Sequence, residues 1–214
     1  MTESPRPYRS TLRDEQARAT RRRIVEAGRD LFIEQGYAHT TIDAIAARAE
    51  VSRKTVFTSV GSKAGLLKLA FDWTLAGDDE PVPIADRPDM RRVREERDPA
   101  EVVAQWTRIN AAIASRLASI FEVLTIAADG DFEAAEVLAQ AERNRRDGAQ
   151  VFVDQLDALG GLRPDLDRDR ARQIAEVLMD PIPARRLVID AGWSVDEYAD
   201  YVERMTVAAL LAQG

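Results

Sequence analysis

The chain contains no cysteine and only one histidine, His39, among its 214 residues. The lack of cysteine excludes disulfides, thiolate metal sites and cysteine nucleophiles. A single histidine cannot supply the ligand cluster of a zinc site, and it gives little support to a catalytic set of nucleophile, base and orienting residue. A Gly-rich phosphate loop is missing as well. We therefore expect a protein that is not an enzyme and that uses no cofactor and no metal.

Long apolar runs are also missing. No stretch approaches 18 consecutive apolar residues, and the N-terminal sequence MTESPRPYRS lacks the apolar segment of a signal peptide. The composition, 45% hydrophobic and 31% charged, is ordinary for a soluble globular protein of this size. These features predict a cytoplasmic protein that does not associate with a membrane.

Acidic residues outnumber basic ones, 37 to 30, for a net charge of −7, but the charges are unevenly distributed along the chain. Residues 1–75 carry 13 Lys and Arg against 9 Asp and Glu, a net charge of +4, whereas residues 76–214 carry 17 against 28, a net charge of −11. Affinity for DNA depends on local neutralisation of phosphates rather than on total charge. The asymmetry therefore favours a nucleic-acid partner for the N-terminal third of the chain.

Hydrophobic residues recur at helical spacing through most of the chain, and no alternating strand pattern is present. A first helix is predicted from about Thr11 to Gln35, after an arm that contains Arg6 and Arg9. Residues 77–98 hold three prolines and many charges, and predict a loop or a partly ordered insertion. Everything after Asp98 reads as helix. The fold class predicted from these patterns is all-α.

The segment Thr40–Lys63, TTIDAIAARAEVSRKTVFTSVGSK, has the pattern of a helix-turn-helix at about residues 41–60. Thr41 is a candidate N-cap of one short helix, and Ser52 of a second helix that directs Val56, Phe57 and Val60 inward. Two short helices joined by a tight turn form a module that places its second helix in the DNA major groove. The outward residues of that second helix are then candidates for base and phosphate contacts. They are Arg53, Lys54, Thr55, Thr58 and Ser59.

Residues 22–67 resemble the DNA-binding domain of TetR-type (tetracycline-repressor-like) transcriptional regulators. The resemblance lies in Leu31-Phe32, Gly36-Tyr37 and Thr40-Thr41, and then in Ile45-Ala46, Val51-Ser52, Thr55-Val56-Phe57 and Gly61-Ser62-Lys63, in the order and at the spacing of the family. It implies an N-terminal three-helix DNA-binding domain, here residues 18–77 behind an arm and helix start at 1–17. It also implies a C-terminal helical domain for ligand binding and dimerisation, here residues 78–214.

The resemblance adds further DNA-binding candidates. Thr41, Ser52 and Lys63 are expected to anchor phosphates, and Phe57 stands where the family usually has a tyrosine that reaches a phosphate. Arg22, in a basic run of the first helix, is a further candidate, with a solvated face as the alternative. Glu50 occupies the turn position where the family usually has glycine, so we expect a positive φ there.

By resemblance, the last two helices form a four-helix bundle with a second subunit, which would present two recognition helices to a palindromic operator in double-stranded DNA. The candidates for this homodimer contact are Ile174, Leu178, Tyr198, Val202, Met205 and Ala209. An intramolecular core is the alternative. The resemblance also implies a pocket for an unknown small-molecule effector. Its candidate contacts are Trp73, Trp106, Asn110, Phe121 and Phe152, again with plain core packing as the alternative.

The sequence thus predicts a sequence-specific, DNA-binding transcriptional regulator, and favours a ligand-responsive repressor that acts as a homodimer. Two alternatives remain open at this point. One is a helical interaction protein of the same fold that has lost specific DNA recognition. The other is an activator of the same architecture.

Overall fold

The computed structural model describes the backbone of residues 8–212 and the side chains of residues 13–212. The N-terminal unit, called the head below, consists of four helices. They are α1 (Tyr8–Gln35), α2 (Ile42–Arg48), α3 (Arg53–Val60) and α4 (Lys63–Ala76). Helix α1 begins earlier than the predicted Thr11, so residues 8–10 are helical rather than part of an arm. The rest of the predicted arm, residues 1–7, lies outside the described residues.

The remainder of the chain, called the body below, is also helical. Its helices are α5 (Pro88–Glu95), α6 (Pro99–Ala128), α7 (Phe132–Ala158), α8 (Arg168–Leu178), α9 (Pro181–Ala184) and α10 (Val195–Leu210). A 3₁₀ turn at Ile84–Asp86 precedes α5, and a π-helical stretch at Arg185–Asp190 follows α9. No strand forms between residues 8 and 212, where Leu162 and Leu211 make one isolated antiparallel bridge. The all-α prediction is confirmed.

Local capping signals fix where several helices begin. The side chains of Thr41, Ser52 and Ser62 accept hydrogen bonds from the backbone N–H groups of Ala44, Thr55 and Gly65. Asp98 accepts from the N–H of Ala100 in the same way. Each side-chain oxygen satisfies a donor that has no partner inside its helix. The starts at Thr41 and Ser52 agree with the sequence prediction.

The predicted insertion at residues 77–98 is partly ordered. It contains the 3₁₀ turn and α5, whose Val93 is buried against the body. Gln155 of α7 donates a hydrogen bond of 2.6 Å to the carbonyl oxygen of Val93 and so holds α5 in place. The arginines of α5 are exposed, as expected of a solvated face.

Helix α6 is the central element, and its residues contribute to all three apolar clusters of the described chain. Its C-terminal half packs with the head through Leu117, Ile120 and Leu124. Its N-terminal half packs with α7 and α8 through Val102 and Trp106. Its middle packs with α9 and α10. Apolar packing is therefore continuous across the predicted domain boundary at residues 77–78.

One helix in the described residues, α6, is long and apolar enough to cross a membrane by length and composition alone. The sequence prediction did not anticipate it, because the helix interrupts its apolar residues with a few polar ones. Half of its most apolar window is buried inside the protein. This placement is that of a core helix.

Helices α1 and α4 run antiparallel. At the N-terminal end of α4, the Lys63 ammonium contacts Tyr37, just after α1. Beyond its C-terminal end, the Asp79 carboxylate contacts Arg18 and Arg22 in the middle of α1. The 14 residues of α4 span about 21 Å. The head therefore has one end near α3 and an opposite end near the α4–α5 connection.

Candidate DNA-binding interface

The turn between α2 and α3 has the geometry that the sequence predicts. The N–H of Val51 donates to the carbonyl oxygen of Ala46 at 2.9 Å, which closes the C-terminal end of α2. Glu50 has φ +54°, so the expected positive φ is confirmed at a non-glycine residue. Ser52 then caps α3. Four residues, Ala49–Ser52, therefore connect α2 to α3.

Apolar contacts hold α2 and α3 against α1. Ile45 of α2 and Val56 of α3 are fully buried, together with Ile24 and Phe32 of α1. Val60 at the end of α3 is buried as well. Because one side of α3 is committed to this core, its opposite side faces solvent.

The solvent side of α3 displays mainly cationic and hydroxyl groups. Lys54 and Thr58 are exposed, and the Lys54 ammonium has no hydrogen-bond or ion-pair partner among the described residues. Arg53 is exposed too, but its guanidinium donates to the Asp43 carboxylate of α2 at 2.7 Å. Thr55 and Ser59 are half-buried. Cationic and hydroxyl side chains of this kind suit phosphate and base-edge contacts.

Phe57 corrects one prediction. The pattern directed it inward, whereas 43% of it is exposed on the surface of α3. Its ring lies 5.5 Å from the Arg53 guanidinium carbon, a cation–π distance. The reason is geometric, since Val56 and Val60 already fill the inward positions of this eight-residue helix.

The predicted phosphate anchors Thr41 and Ser52 are exposed at the N-termini of α2 and α3. Their oxygens accept capping N–H groups at 3.1 Å in both cases. Ser52 Oγ also lies 2.8 Å from Thr55 Oγ1. The observed role of both hydroxyls is therefore capping.

Lys63 is placed differently from the prediction. Its ammonium donates to the carbonyl oxygens of Tyr37 at 2.9 Å and Thr40 at 3.2 Å. It also lies 4.1 Å from the centroid of the Tyr37 ring. An ammonium engaged on this side is directed into the head, so in this structure Lys63 fastens the α1–α2 loop and does not stand free for a phosphate.

Arg22 also departs from the prediction. Its guanidinium binds the Asp79 carboxylate at 2.9 Å, and Arg18 binds the same carboxylate at 2.8 Å. Hydrogen bonds to both arginines hold the pKa of Asp79 well below its usual value. The pair lies at the far end of α4 from α3, about 21 Å away along that helix. Distance and charge neutralisation both argue against a phosphate contact by Arg22.

The five predicted effector contacts do not converge. Trp106 and Phe152 stack face to face with ring centroids 3.8 Å apart, and both are buried in the body core. Phe121 is buried near the head, where it packs on Phe71. Asn110 donates to the Trp106 carbonyl oxygen of its own helix. Core packing, the alternative reading, describes the three aromatic residues, while the Asn110 amide is bonded to its own helix.

Trp73 is the exception, because it lines a cleft of about 750 Å³ between head and body. The cleft is formed by α1, α4, α6 and the π-helical stretch. Arg116 of α6 closes one side, where it donates to the carbonyl oxygens of Thr74 and Leu75 at the C-terminal end of α4. Burial lowers the pKa of Arg116. The cleft size is in the range of small-molecule sites.

The six predicted dimer contacts divide into two groups. Tyr198 and Val202 are only 1% and 3% exposed, because they pack inward against α6 and α9. They are core residues, and the prediction for them is corrected. The other four line an open, mostly apolar groove of about 600 Å³ between α8 and α10. They are Ile174, Leu178, Met205 and Ala209. Val177, which the sequence analysis did not single out, lies in the same groove and is 67% exposed.

Sequence reasoning missed a set of contacts that joins the head to α7. The Tyr37 hydroxyl donates to Asp131 at 2.6 Å, and the Ser62 hydroxyl donates to Glu133 at 2.6 Å. Asp131 caps α7, with its other oxygen accepting from the N–H groups of Glu133 and Ala134. An aspartate just before a helix was a local signal for the cap. Nothing in the sequence pairs it with Tyr37, 94 residues away.

The buried contacts among α1, α2 and α3, with α3 capped and facing solvent on its other side, define a helix-turn-helix domain, which a helical body follows. Residues 24–70 match the model of a family described as bacterial regulatory proteins, tetR family. The match lies within the head, so residues 24–70 carry a domain of this family. None of the curated proteins compared with the chain is significantly similar to it.

Solved structures agree over most of the chain. NalD of Pseudomonas aeruginosa, the secondary repressor of the MexAB-OprM multidrug efflux pump, is 19% identical with a TM-score of 0.66, over 92% of this chain and 100% of that one. FadR of Bacillus subtilis in complex with stearoyl-CoA is 16% identical with a TM-score of 0.70, over 87% and 97%. SmeT in complex with triclosan is 21% identical with a TM-score of 0.65, over 92% and 93%. At these identities the likeness shows the fold.

Proposed function

We propose that this protein is a cytoplasmic transcriptional repressor that binds a palindromic operator in double-stranded DNA as a homodimer and responds to a small-molecule effector. The observation that carries the proposal is α3. It is capped by Ser52, fastened by Val56 and Val60, and presents cationic and hydroxyl side chains to solvent. In this proposal residues 18–77 form the DNA-binding domain and residues 78–214 the regulatory domain.

The exposed side chains of α3 are proposed to contact the DNA bases directly. Lys54 and Thr58 have the reach and exposure for base edges or phosphates, while Arg53 would exchange its Asp43 partner for the DNA. Thr55 and Ser59 lie at the margin of the contact. Phe57 offers an apolar surface of the kind that packs on a thymine methyl group. The hydroxyls of Thr41 and Ser52 can donate to phosphates while their oxygens keep the helix caps.

The groove between α8 and α10 is the proposed dimer interface. Its floor is apolar, and Val177 and Met205 project from it into solvent. A second copy of the same groove, related by a two-fold axis, would cover these side chains. To read a palindrome, such a dimer would have to present its two α3 helices about 34–36 Å apart, one turn of DNA.

The cleft that contains Trp73 is the proposed effector site. Its walls come from the head and from the body, so a molecule bound there changes the free energy of one head orientation relative to another. Two structural neighbours are seen with small molecules, stearoyl-CoA in one case and triclosan in the other. Release of DNA would follow from a changed spacing between the two heads.

Selection of genomic DNA fragments by the purified protein at physiological salt, read by sequencing, tests the proposal. A recovered palindrome is the expected result. Absence of any enrichment, in a preparation freed of bound small molecules by unfolding and refolding, would reject specific DNA binding and favour the interaction-protein alternative. A reporter assay with the recovered site then separates a repressor from an activator.

A further inference from the structure

The head is tied to the body at both ends of the α1–α4 pair. At the end distant from α3, Asp79 holds Arg18 and Arg22, and Arg116 holds the last carbonyl groups of α4. At the end next to α3, Tyr37 and Ser62 are hydrogen-bonded to Asp131 and Glu133, the first residues of α7. We call this second set the α7 latch.

The latch uses groups that also organise the head. The Tyr37 ring is buried, packs at 5.5 Å from the Phe32 ring, and lies under the Lys63 ammonium. Ser62 caps α4 while it donates to Glu133. A displacement of α7 therefore acts on the N-terminal end of α4 and on the loop before α2, which are the elements that orient α3.

The carboxylate of Asp131 accepts hydrogen bonds both from the head and from the first turn of α7. One oxygen accepts the first N–H groups of α7, and the other accepts the Tyr37 hydroxyl at 2.6 Å. Hydrogen bonds to a charged acceptor are stronger than neutral ones and fix their geometry more narrowly. A shift of the first turn of α7 by about 1 Å would lose the Tyr37 contact.

Helix α7 also reaches the part of the body next to the α8–α10 groove. Its 27 residues span about 40 Å. At the middle of the helix, Arg145 lies 3.3 Å from Asp180, and Arg146 lies 3.7 Å from Glu176 of α8. One continuous helix thus links the head to the helix that forms one wall of the groove.

We propose that α7 is a direct lever on the DNA-binding head, and that the latch of Tyr37 with Asp131 and Ser62 with Glu133 sets the head orientation. Movement of the body then reaches α3 through α7 as well as through the covalent connection by α4. The contact itself does not depend on the proposed function. Its consequence for DNA affinity does.

The lack of cysteine makes a label-based test direct. A variant with Ala47→Cys in the head and Arg108→Cys in the body, both exposed positions, carries two spin labels. Pulsed electron spin resonance measures the distance between them. Dilution with excess unlabelled protein ensures that the measured distances lie within one chain, whatever the oligomeric state. The measurement needs no DNA.

Tyr37→Phe removes one hydroxyl, and Glu133→Ala removes the other half of the latch at an exposed side chain. Each change should raise the ratio of displaced to latched heads roughly tenfold and broaden the distance distribution. Glu136→Ala, an exposed glutamate one turn further along α7, is the matched control and should superimpose on the parent. Circular dichroism verifies that each variant folds. If Tyr37→Phe does not fold, the distance distribution of Glu133→Ala alone tests whether the latch sets the head orientation.

Distributions of folded Tyr37→Phe and Glu133→Ala that superimpose on the parent would overturn the latch. For the regulatory consequence, Glu133→Ala should lower affinity for the selected DNA about tenfold relative to Glu136→Ala, because mobile heads lose more conformational freedom on binding. Equal affinities would overturn that consequence alone. If the parent selects no DNA, the proposed function fails while the distance measurement still decides the latch.

Discussion

Lys54 is the residue of α3 whose charge is least committed inside the protein. Its ammonium has no partner among the described residues, whereas Arg53 is paired with Asp43 and Lys63 is directed into the head. A cation in this position contributes to DNA binding by releasing counterions from the phosphates.

Lys54→Ala should therefore weaken binding to the selected DNA, and should reduce the slope of log affinity against log salt by about one. Fluorescence anisotropy over a salt series measures both. Lys68→Ala removes the same charge from α4, where the lysine pairs with Asp72, and should leave the slope unchanged. Equal slopes for Lys54→Ala and the parent would remove Lys54 from the phosphate contacts.

Asp79 is a mostly buried carboxylate that pairs with two arginines of α1. Its side chain is 7% exposed, and two arginines hold its pKa below the ordinary value of 3.8. A group with a lowered pKa in the folded state stabilises the protein above its unfolded pKa. That contribution is lost as pH falls below about 4 and through the folded pKa.

Asp79→Asn should lower the free energy of unfolding at pH 7 by about 1 kcal/mol. In addition, the free energy of unfolding should fall less between about pH 5 and about pH 3 in the variant than in the parent, because the variant has no Asp79 carboxylate to protonate. Urea unfolding at the two pH values measures this. Asp86→Asn, at an exposed aspartate of the same connection, serves as the control. An acid loss equal to that of the parent would contradict the assignment.

At the scale of elements, the crossing of α1 and α4 depends on a glycine. A Cβ atom at Gly28 would lie 2.5 Å from Cδ2 of Leu66, a side chain that is fully buried. Contacts that short force neighbouring atoms to move, and the Leu66 side chain would have to move within the buried core of the head. The absence of a side chain at Gly28 therefore lets the two helices of the head approach closely.

Gly28→Ala should destabilise the protein by about 1–3 kcal/mol through this overpacking. Gly148→Ala in α7 is the matched change, because its Cβ would meet only the end of Met179 at 3.5 Å. That substitution should stabilise by roughly 0.5–1 kcal/mol, since glycine costs backbone entropy in a helix. Thermal and urea unfolding measure whether each variant is more or less stable than the parent. A Gly28→Ala protein that is more stable than the parent would show that α1 and α4 accommodate the added methyl group without cost.

At the scale of the whole molecule, the α8–α10 groove is the surface that a second copy is proposed to cover. Val177 is 67% exposed there, beside Met205. A charge at the centre of an apolar interface loses its hydration without gaining a partner. The oligomeric state should therefore respond to one substitution in the groove.

Val177→Asp should convert a dimer into a monomer in light scattering coupled to gel filtration, and should weaken operator binding along with it. Ile126→Asp is the control, since Ile126 is 65% exposed at the end of α6 and lies outside the groove. A Val177→Asp protein that remains dimeric would move the interface elsewhere.

Patterns within a few residues were readable from the sequence. The caps at Thr41, Ser52 and Ser62 and the positive φ of Glu50 follow from donors, acceptors and backbone preferences that lie within one turn. Helical spacing likewise predicted the all-α fold and the helix-turn-helix. The family match at residues 24–70 rests on the same local patterns.

Only the tertiary structure decided which of these residues are available to a partner. Lys63 and Arg22 look equally free in the sequence, yet one is held by Tyr37 and the other by Asp79. Tyr198 and Met205 share a helix, yet one is core and the other faces solvent. Helical periodicity says that a face is apolar. What covers that face depends on contacts between residues far apart in the chain, and those contacts exist only once the helices have packed.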